Sequence, residues 1–221
     1  MRIREFEKDI INAARNGYTE TVRLLLDRGV DPNTYDTFKR TLLMQAAWYG
    51  HSETVKLLLE RGADPNVTGT RGQTALTGAS YYGYTEAVRL LLDAGADKDA
   101  ADEGGNTSVI MACKYPRGKR KVIEALCAAG AELDAINIED KTALMHLSFK
   151  GHTSLMKLLI KAGADPHIRD KRGRTALDIL KECHPEKYER WMQNTVVKAK
   201  KKNLKMEDSF CKNQCTPDFN I

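Results

Sequence analysis

The sequence has no run near the roughly 18 uncharged apolar residues that a membrane-spanning helix requires, so a span is not expected. Its opening segment, Met1-Arg2-Ile3-Arg4-Glu5-Phe6-Glu7-Lys8, lacks the apolar core of a secretory signal, and export by that route is not expected either. Cysteine is sparse and odd in number: Cys113, Cys127, Cys183, Cys211 and Cys215 make no disulfide framework, and reduced thiols in a cytoplasmic protein are the simpler account. Neither charge sign dominates. Thirty-five Lys and Arg against 30 Asp and Glu give a net charge of +5, too mild at 221 residues to argue for nucleic acid. Aromatic residues are only 7% of the chain, which makes their placement informative.

Reactive chemistry is scarce as well. Every Gly pair has a turn explanation, so there is no phosphate-binding loop, and no acid, base and nucleophile converge. An enzyme, a cofactor and a small-molecule substrate are therefore not expected. His51 and His152 each follow a glycine in equivalent positions, and His146, between Met145 and Leu147, reads as a packed side chain. His184 beside Cys183, and Cys211 with Cys215, match no zinc-knuckle spacing, so no metal is expected.

What the sequence does have is an internal period. Gly29-Val30-Asp31, Gly62-Ala63-Asp64, Gly95-Ala96-Asp97, Gly130-Ala131-Glu132 and Gly163-Ala164-Asp165 recur at steps of 33, 33, 35 and 33. Thr41, Thr74, Thr107, Thr142 and Thr175 keep the same steps. Two markers in one register define stacked units of about 33 residues. Within residues 70–102, Thr74 is placed to cap a short helix through Ala79 that ends near Gly83. A second helix from Thr85 to Ala94 carries Val88, Leu91 and Leu92 at i, i+3, i+4, and Gly95 is its left-handed stop. Neither helix can bury its apolar face alone, so the units must share one continuous core.

The segment Ser52-Glu53-Thr54-Val55-Lys56-Leu57-Leu58-Leu59-Glu60-Arg61-Gly62-Ala63-Asp64-Pro65-Asn66 resembles the second helix and hairpin of an ankyrin repeat, and the resemblance extends over about residues 5 to 180. It implies an all-α repeat solenoid of helix-turn-helix units joined by β-hairpin loops. The family's Thr-Pro-Leu-His box reads Thr41-Leu42-Leu43-Met44, Thr74-Ala75-Leu76-Thr77, Thr107-Ser108-Val109-Ile110, Thr142-Ala143-Leu144-Met145 and Thr175-Ala176-Leu177-Asp178. The threonine stays, the proline and histidine never appear, and the loss of imidazole hydrogen bonds is expected to lower local rigidity. The extra two residues around Pro116-Arg117-Gly118 should lengthen the turn between that unit's helices.

About six units are expected within a repeat domain at 1–200: an N-terminal cap at 5–36, repeats at 37–69, 70–102, 103–137 and 138–170, and a C-terminal cap at 171–200. In the first cap Phe6, Ile10, Ala13 and Ala14 form an apolar stripe. In the last, Pro185 opens a helix over 186 to about 200 with Tyr188, Trp191, Met192 and Thr195 on one face. Residues 201–221 read as a flexible basic and polar tail.

Three surfaces could carry function. At the end of each first helix stand Trp48-Tyr49, Tyr81-Tyr82, Lys114-Tyr115 and Phe149-Lys150, which hold six of the fifteen aromatic residues. The resemblance implies that these positions face a concave groove, where Tyr and Trp make good binding anchors. The alternative is that one member of each pair packs between units. The hairpin tips, among them Phe38, Arg40 and Arg71, form a second row; it is basic at both ends and suited to an acidic peptide or to ordinary solvation. The third is the run 198–205, with five lysines in eight residues, which reads as a targeting signal or as charge complementing a helix end. Asn33 and Asn66 sit in Asp-Pro-Asn hairpins, a position hydroxylated in some ankyrin proteins.

The expected function is a monomeric, non-enzymatic protein-interaction module that holds an extended peptide or a helix of another protein in its groove. The alternative is an adaptor or secreted microbial effector whose basic tail directs it to the nucleus or into a host cell.

Overall fold

In the computed structural model residues 2–194 are described, with side chains from residue 8 onward. The helix end expected at 195–200, the lysine run 198–205, the tail 201–221 and the side chain of Phe6 lie outside the described residues. Six helix pairs follow in order: α1 (Arg2–Asn16) and α2 (Thr19–Asp27); α3 (Leu42–Trp48) and α4 (Ser52–Glu60); α5 (Ala75–Tyr82) and α6 (Thr85–Asp93); α7 (Ser108–Lys114) and α8 (Arg120–Ala128); α9 (Ala143–Phe149) and α10 (Thr153–Ala162); α11 (Ala176–Cys183) and α12 (185–194). Substantial helix contacts form only within a pair or between adjacent pairs, and one apolar core runs unbroken from Ile10 to Trp191. Among the described residues the β-hairpin loops form no sheet, and Tyr35 with Thr41 makes one isolated antiparallel bridge. The chain is an all-α repeat solenoid.

Local chemistry sets each helix start. Thr41, Thr74, Thr107, Thr142 and Thr175 accept a hydrogen bond through the side-chain oxygen from the backbone N–H three residues on, satisfying an orphan donor. The expected loss of rigidity from the missing histidines does not extend to every unit. Thr74 N–H donates to Thr77 Oγ1 at 2.9 Å and Thr175 N–H to Asp178 Oδ2 at 2.9 Å, closing two reciprocal capping boxes without an imidazole.

In the four central units the first helices are short and almost wholly buried, and they make more contact with one another than the second helices do. Small side chains permit this approach: Ala46 and Ala47 in α3, Gly78 and Ala79 in α5, Ala112 in α7 and Ser148 in α9 are all buried. The second helices are longer and amphipathic; α6 buries Ala87, Val88 and Leu91 while Arg89 stays exposed. The turn between α7 and α8 spans residues 115–119, longer than the 83–84 and 150–152 turns of the neighbouring units, as the insertion requires.

The hairpins are held from within. Asp36 Oδ1 accepts from the N–H groups of Phe38 and Arg40 at 2.8 and 3.0 Å, and Asp102, Asn137 and Asp170 repeat that clamp five residues before their own unit's threonine. The tip residue takes left-handed φ in every unit, including the non-glycines Lys39 and Asp140. Side chains also cross between units: Asn33 Oδ1 accepts from Asp64 N–H at 2.8 Å, Asn66 Oδ1 from Asp97 N–H at 2.7 Å, and Asp99 Oδ1 from Glu132 N–H at 2.7 Å.

Candidate binding groove

The pairs at the ends of the first helices do not behave alike. Trp48 takes the packing alternative. Its indole N–H donates to Thr74 O at 3.1 Å, and its ring lies so close to Gly78 that a Cβ there would come within 1.9 Å of Nε1. A glycine on the neighbouring unit therefore receives the indole, and the side chain is half-buried between units. Tyr49, its sequence neighbour, is 51% exposed.

From Tyr81 onward the aromatic residues meet. Tyr81 and Tyr82 ring centroids lie 4.9 Å apart at 88°, and Tyr81 and Tyr115 lie 5.4 Å apart at 79°. Both are edge-to-face arrangements that place a positive ring edge on a negative face. Lys150 Nζ then stands 5.8 Å from the Tyr115 ring and 5.5 Å from the Phe149 ring, joining the two through cation–π contacts. Tyr82, Tyr115 and Phe149 remain more than half exposed, while Tyr81 is half-buried beneath them. Burial, followed by the neighbouring Tyr115 and Tyr82 hydroxyls, raises the Tyr81 pKa above the ordinary tyrosine value, so the ring stays neutral. Lys114 is half-buried at the end of α7.

Lys119, in the lengthened turn between α7 and α8, lies beneath this cluster. It is buried, its ammonium donates to Tyr81 O, and it stands 5.1 Å from the Tyr81 ring centroid. Desolvation lowers its pKa from the ordinary lysine value. Its stem also covers Gly83, as the His51 ring covers Gly17 and the Tyr84 ring covers Gly50. A readable signal existed: Tyr18, His51, Tyr84 and His152 occupy the equivalent site after their turn glycines, and Lys119 follows Gly118 in the same register. His51 Nε2 lies 2.9 Å from Arg15 O and His184 Nε2 lies 3.0 Å from Phe149 O, so these side chains fasten one unit's turn to the next.

The hairpin row divides in a similar way. Phe38 is 59% exposed with the Arg40 guanidinium 4.9 Å above its ring, and Arg40 is tied to Asp36 Oδ2 at 2.6 Å. Burial works against ionisation of Asp36, yet the Arg40 side chain and the clamp N–H groups hold its carboxyl below the ordinary range. Arg71 is exposed. Asn106, just before the Thr107 cap, is buried: it donates to Asp102 at 3.0 Å and accepts from Asn137 Nδ2 at 3.1 Å.

Toward the C-terminal end of the stack a cleft of about 510 Å³ opens between the hairpins of the last two units, reaching from Ile138 to Cys183. His146 lines it, and its buried Nε2 finds no hydrogen-bond partner among the described residues. Burial first, then the positive charges of Lys141, Lys114 and Lys150 against the single carboxylate of Glu139, hold the imidazole pKa down to about 4. It is neutral at physiological pH, a packed histidine. Among the described residues no three His, Cys, Asp or Glu side chains are grouped to hold a metal ion, and no helix is long and apolar enough to cross a membrane.

Comparison with known proteins follows this geometry. A curated relative, Protein HOS4 of Saccharomyces cerevisiae, is 42% identical over 65 residues. That match covers 29% of this chain and only 6% of the yeast protein. The family model for ankyrin repeats matches in three overlapping copies, at residues 9–69, 43–137 and 109–186. With the periodic threonine caps, paired helices and clamped hairpins, those matches establish that the chain belongs to the ankyrin repeat family.

Proposed function

We propose that this protein is a non-enzymatic interaction module that holds a segment of another protein, extended or helical, along the inner face of its stack. Binding other proteins is the role such repeats typically serve. The observation that carries the reading is the joined cluster of Tyr81, Tyr82, Tyr115, Phe149 and Lys150, whose outer rings stay exposed while the residues beneath them are fixed. Large rigid side chains on a preordered scaffold contribute buried area with little loss of conformational freedom on binding. Tyr49, Phe38, Arg40 and Arg71 extend the contact toward the N-terminal units, and Lys114 borders it. Trp48 serves by setting the spacing of two units. The groove is assigned to repeats 37–69, 70–102, 103–137 and 138–170, between a cap on each side.

A triple variant, Tyr82→Ala with Tyr115→Ala and Phe149→Ala, tests the reading, because these three side chains are exposed and their loss leaves the core filled. Crosslinking and mass spectrometry on affinity-purified wild type should place partner peptides against these residues, and the folded variant should lose those crosslinks. Undiminished recovery of the same crosslinked partner by the folded variant would overturn the groove assignment.

A further inference from the structure

Along most of the stack, neighbouring hairpins are tied tip to tip by backbone bonds in a fixed register. Thr70 N–H donates to Phe38 O at 3.2 Å, Glu103 N–H to Arg71 O at 3.0 Å and Ile138 N–H to Gly104 O at 3.0 Å. In each case the residue four before a unit's threonine reaches the residue three before the preceding unit's threonine. The next step in that register would join Lys171 N–H to Glu139 O. Among the described residues that bond is not formed; Lys171 Nζ reaches across to Ile138 O at 2.9 Å instead. A long side chain spans where backbone had met backbone, and the 510 Å³ cleft opens at this interruption.

The lining of the cleft has two characters. Ile138, 69% exposed, stands at the mouth with Phe149, 58% exposed, and Met145 and Ile179 lie beyond them. The rim is cationic, and its cations are unequally occupied. Arg174 is consumed by Asp170 at 2.8 Å and Glu182 at 2.7 Å, and Lys141 by Glu139 at 2.5 Å. Lys171 has a carboxylate only at 3.9 Å, in Asp140, and the Arg172 side chain makes no ion pair among the described residues. Burial is the main cause of the depressed basicity of His146, and the nearby Lys141, Lys114 and Lys150 add to it. Phe149 belongs both to this cleft and to the aromatic cluster, which makes the cleft the continuation of the proposed groove.

We propose that the cleft receives an acidic segment of the partner protein, an apolar side chain entering between Ile138, Met145, Phe149 and Ile179 while an adjacent Asp or Glu carboxylate meets Arg172 and Lys171. The assignment rests on the groove reading above and adds to it a preference for partner chemistry. An apolar contact beside one cation without an ion pair among the described residues, Arg172, and one held only at 3.9 Å, Lys171, favours a carboxylate and disfavours a lysine-rich segment, so the cleft selects as well as holds.

The probe is a library of random peptides displayed on phage and selected on the full chain. Enriched peptides should carry Asp or Glu beside Leu, Ile, Met or Phe. A synthetic copy should bind the Lys171→Glu/Arg172→Glu variant about tenfold more weakly, and changing the peptide's acid to its amide should produce a similar loss. Both substitutions are on exposed side chains, and an unchanged unfolding temperature verifies the fold. An acid-free consensus, binding indifferent to both charge reversals, or no enrichment over the bare surface overturns the proposal. A Tyr82→Ala/Tyr115→Ala variant separates the two readings. Peptides that need Arg172 but not these tyrosines uphold the cleft and remove the aromatic cluster; peptides that need the tyrosines but ignore Arg172 remove the cleft alone.

Discussion

The two rows of helices are built from the same repeat, yet they carry different loads. In the first helices of the central units nearly every side chain is enclosed: Leu42 through Ala47 of α3 are all buried, and α9 is buried from Ala143 through Ser148. In the second row only one face is enclosed; α2 buries Val22 and Leu25 and leaves Leu24 57% exposed. A helix enclosed on all sides has freedom to vary only where it ends. That is where Tyr82, Tyr115 and Phe149 emerge, and it explains why the candidate binding residues stand at helix termini.

Truncation in the two rows should break the comparison most plainly. Leu144→Ala, at a site 1% exposed in α9, should cost about 4 kcal/mol by leaving a cavity between units, whereas Leu24→Ala should stay within about 0.5 kcal/mol. Chemical denaturation with a fixed slope measures both, and equal losses would deny that the rows differ.

Acid should act on the first row next, through His146. Its folded pKa of about 4 lies below its ordinary value of 6.5, so the unfolded chain takes up the proton first. Stability from this group is therefore complete above about pH 6.5 and declines as the pH falls toward 4, by up to about 3 kcal/mol. His146→Gln should flatten that part of the thermal-stability profile, and an unchanged slope between pH 6.5 and 4 would show that the imidazole is not held neutral. Carboxylates held by partners, Asp36 and Asp170, add their own loss at lower pH, as each is protonated.

A smaller loss, about 2 kcal/mol, tests the close contact of α3 with α5. Gly78→Ala puts a Cβ into the Trp48 indole, which must move from Thr74 O. Tryptophan fluorescence should report the displaced ring, and the double variant with Trp48→Ala should recover less than additive damage if the two residues share one contact.

Much of the fold was legible in the sequence because it depends on neighbours in the chain. The threonine caps, the glycine stops and the lengthened 115–119 turn follow from backbone donors and φ angles that a few adjacent residues decide. The Asp or Asn clamp of four hairpins is also present in the register, at Asp36, Asp102, Asn137 and Asp170, with Gly69 at the equivalent place in the unit of Thr74. The site was only partly legible. Trp48 and Tyr49 look equivalent as a pair, and Gly78, on the neighbouring unit, decides which of them packs. Lys119 reads as surface charge until the turn of the preceding unit is laid over it.

By itself the sequence determined the period, the helix boundaries and the stacking, since each unit's apolar face has no partner except the next unit's. Tertiary structure decided which aromatics face outward, which lysine is buried and where the hairpins part. Those outcomes depend on side chains from successive units meeting across a few ångströms, and the register between Lys171 and Glu139 shows that one missing contact is enough to open a cleft.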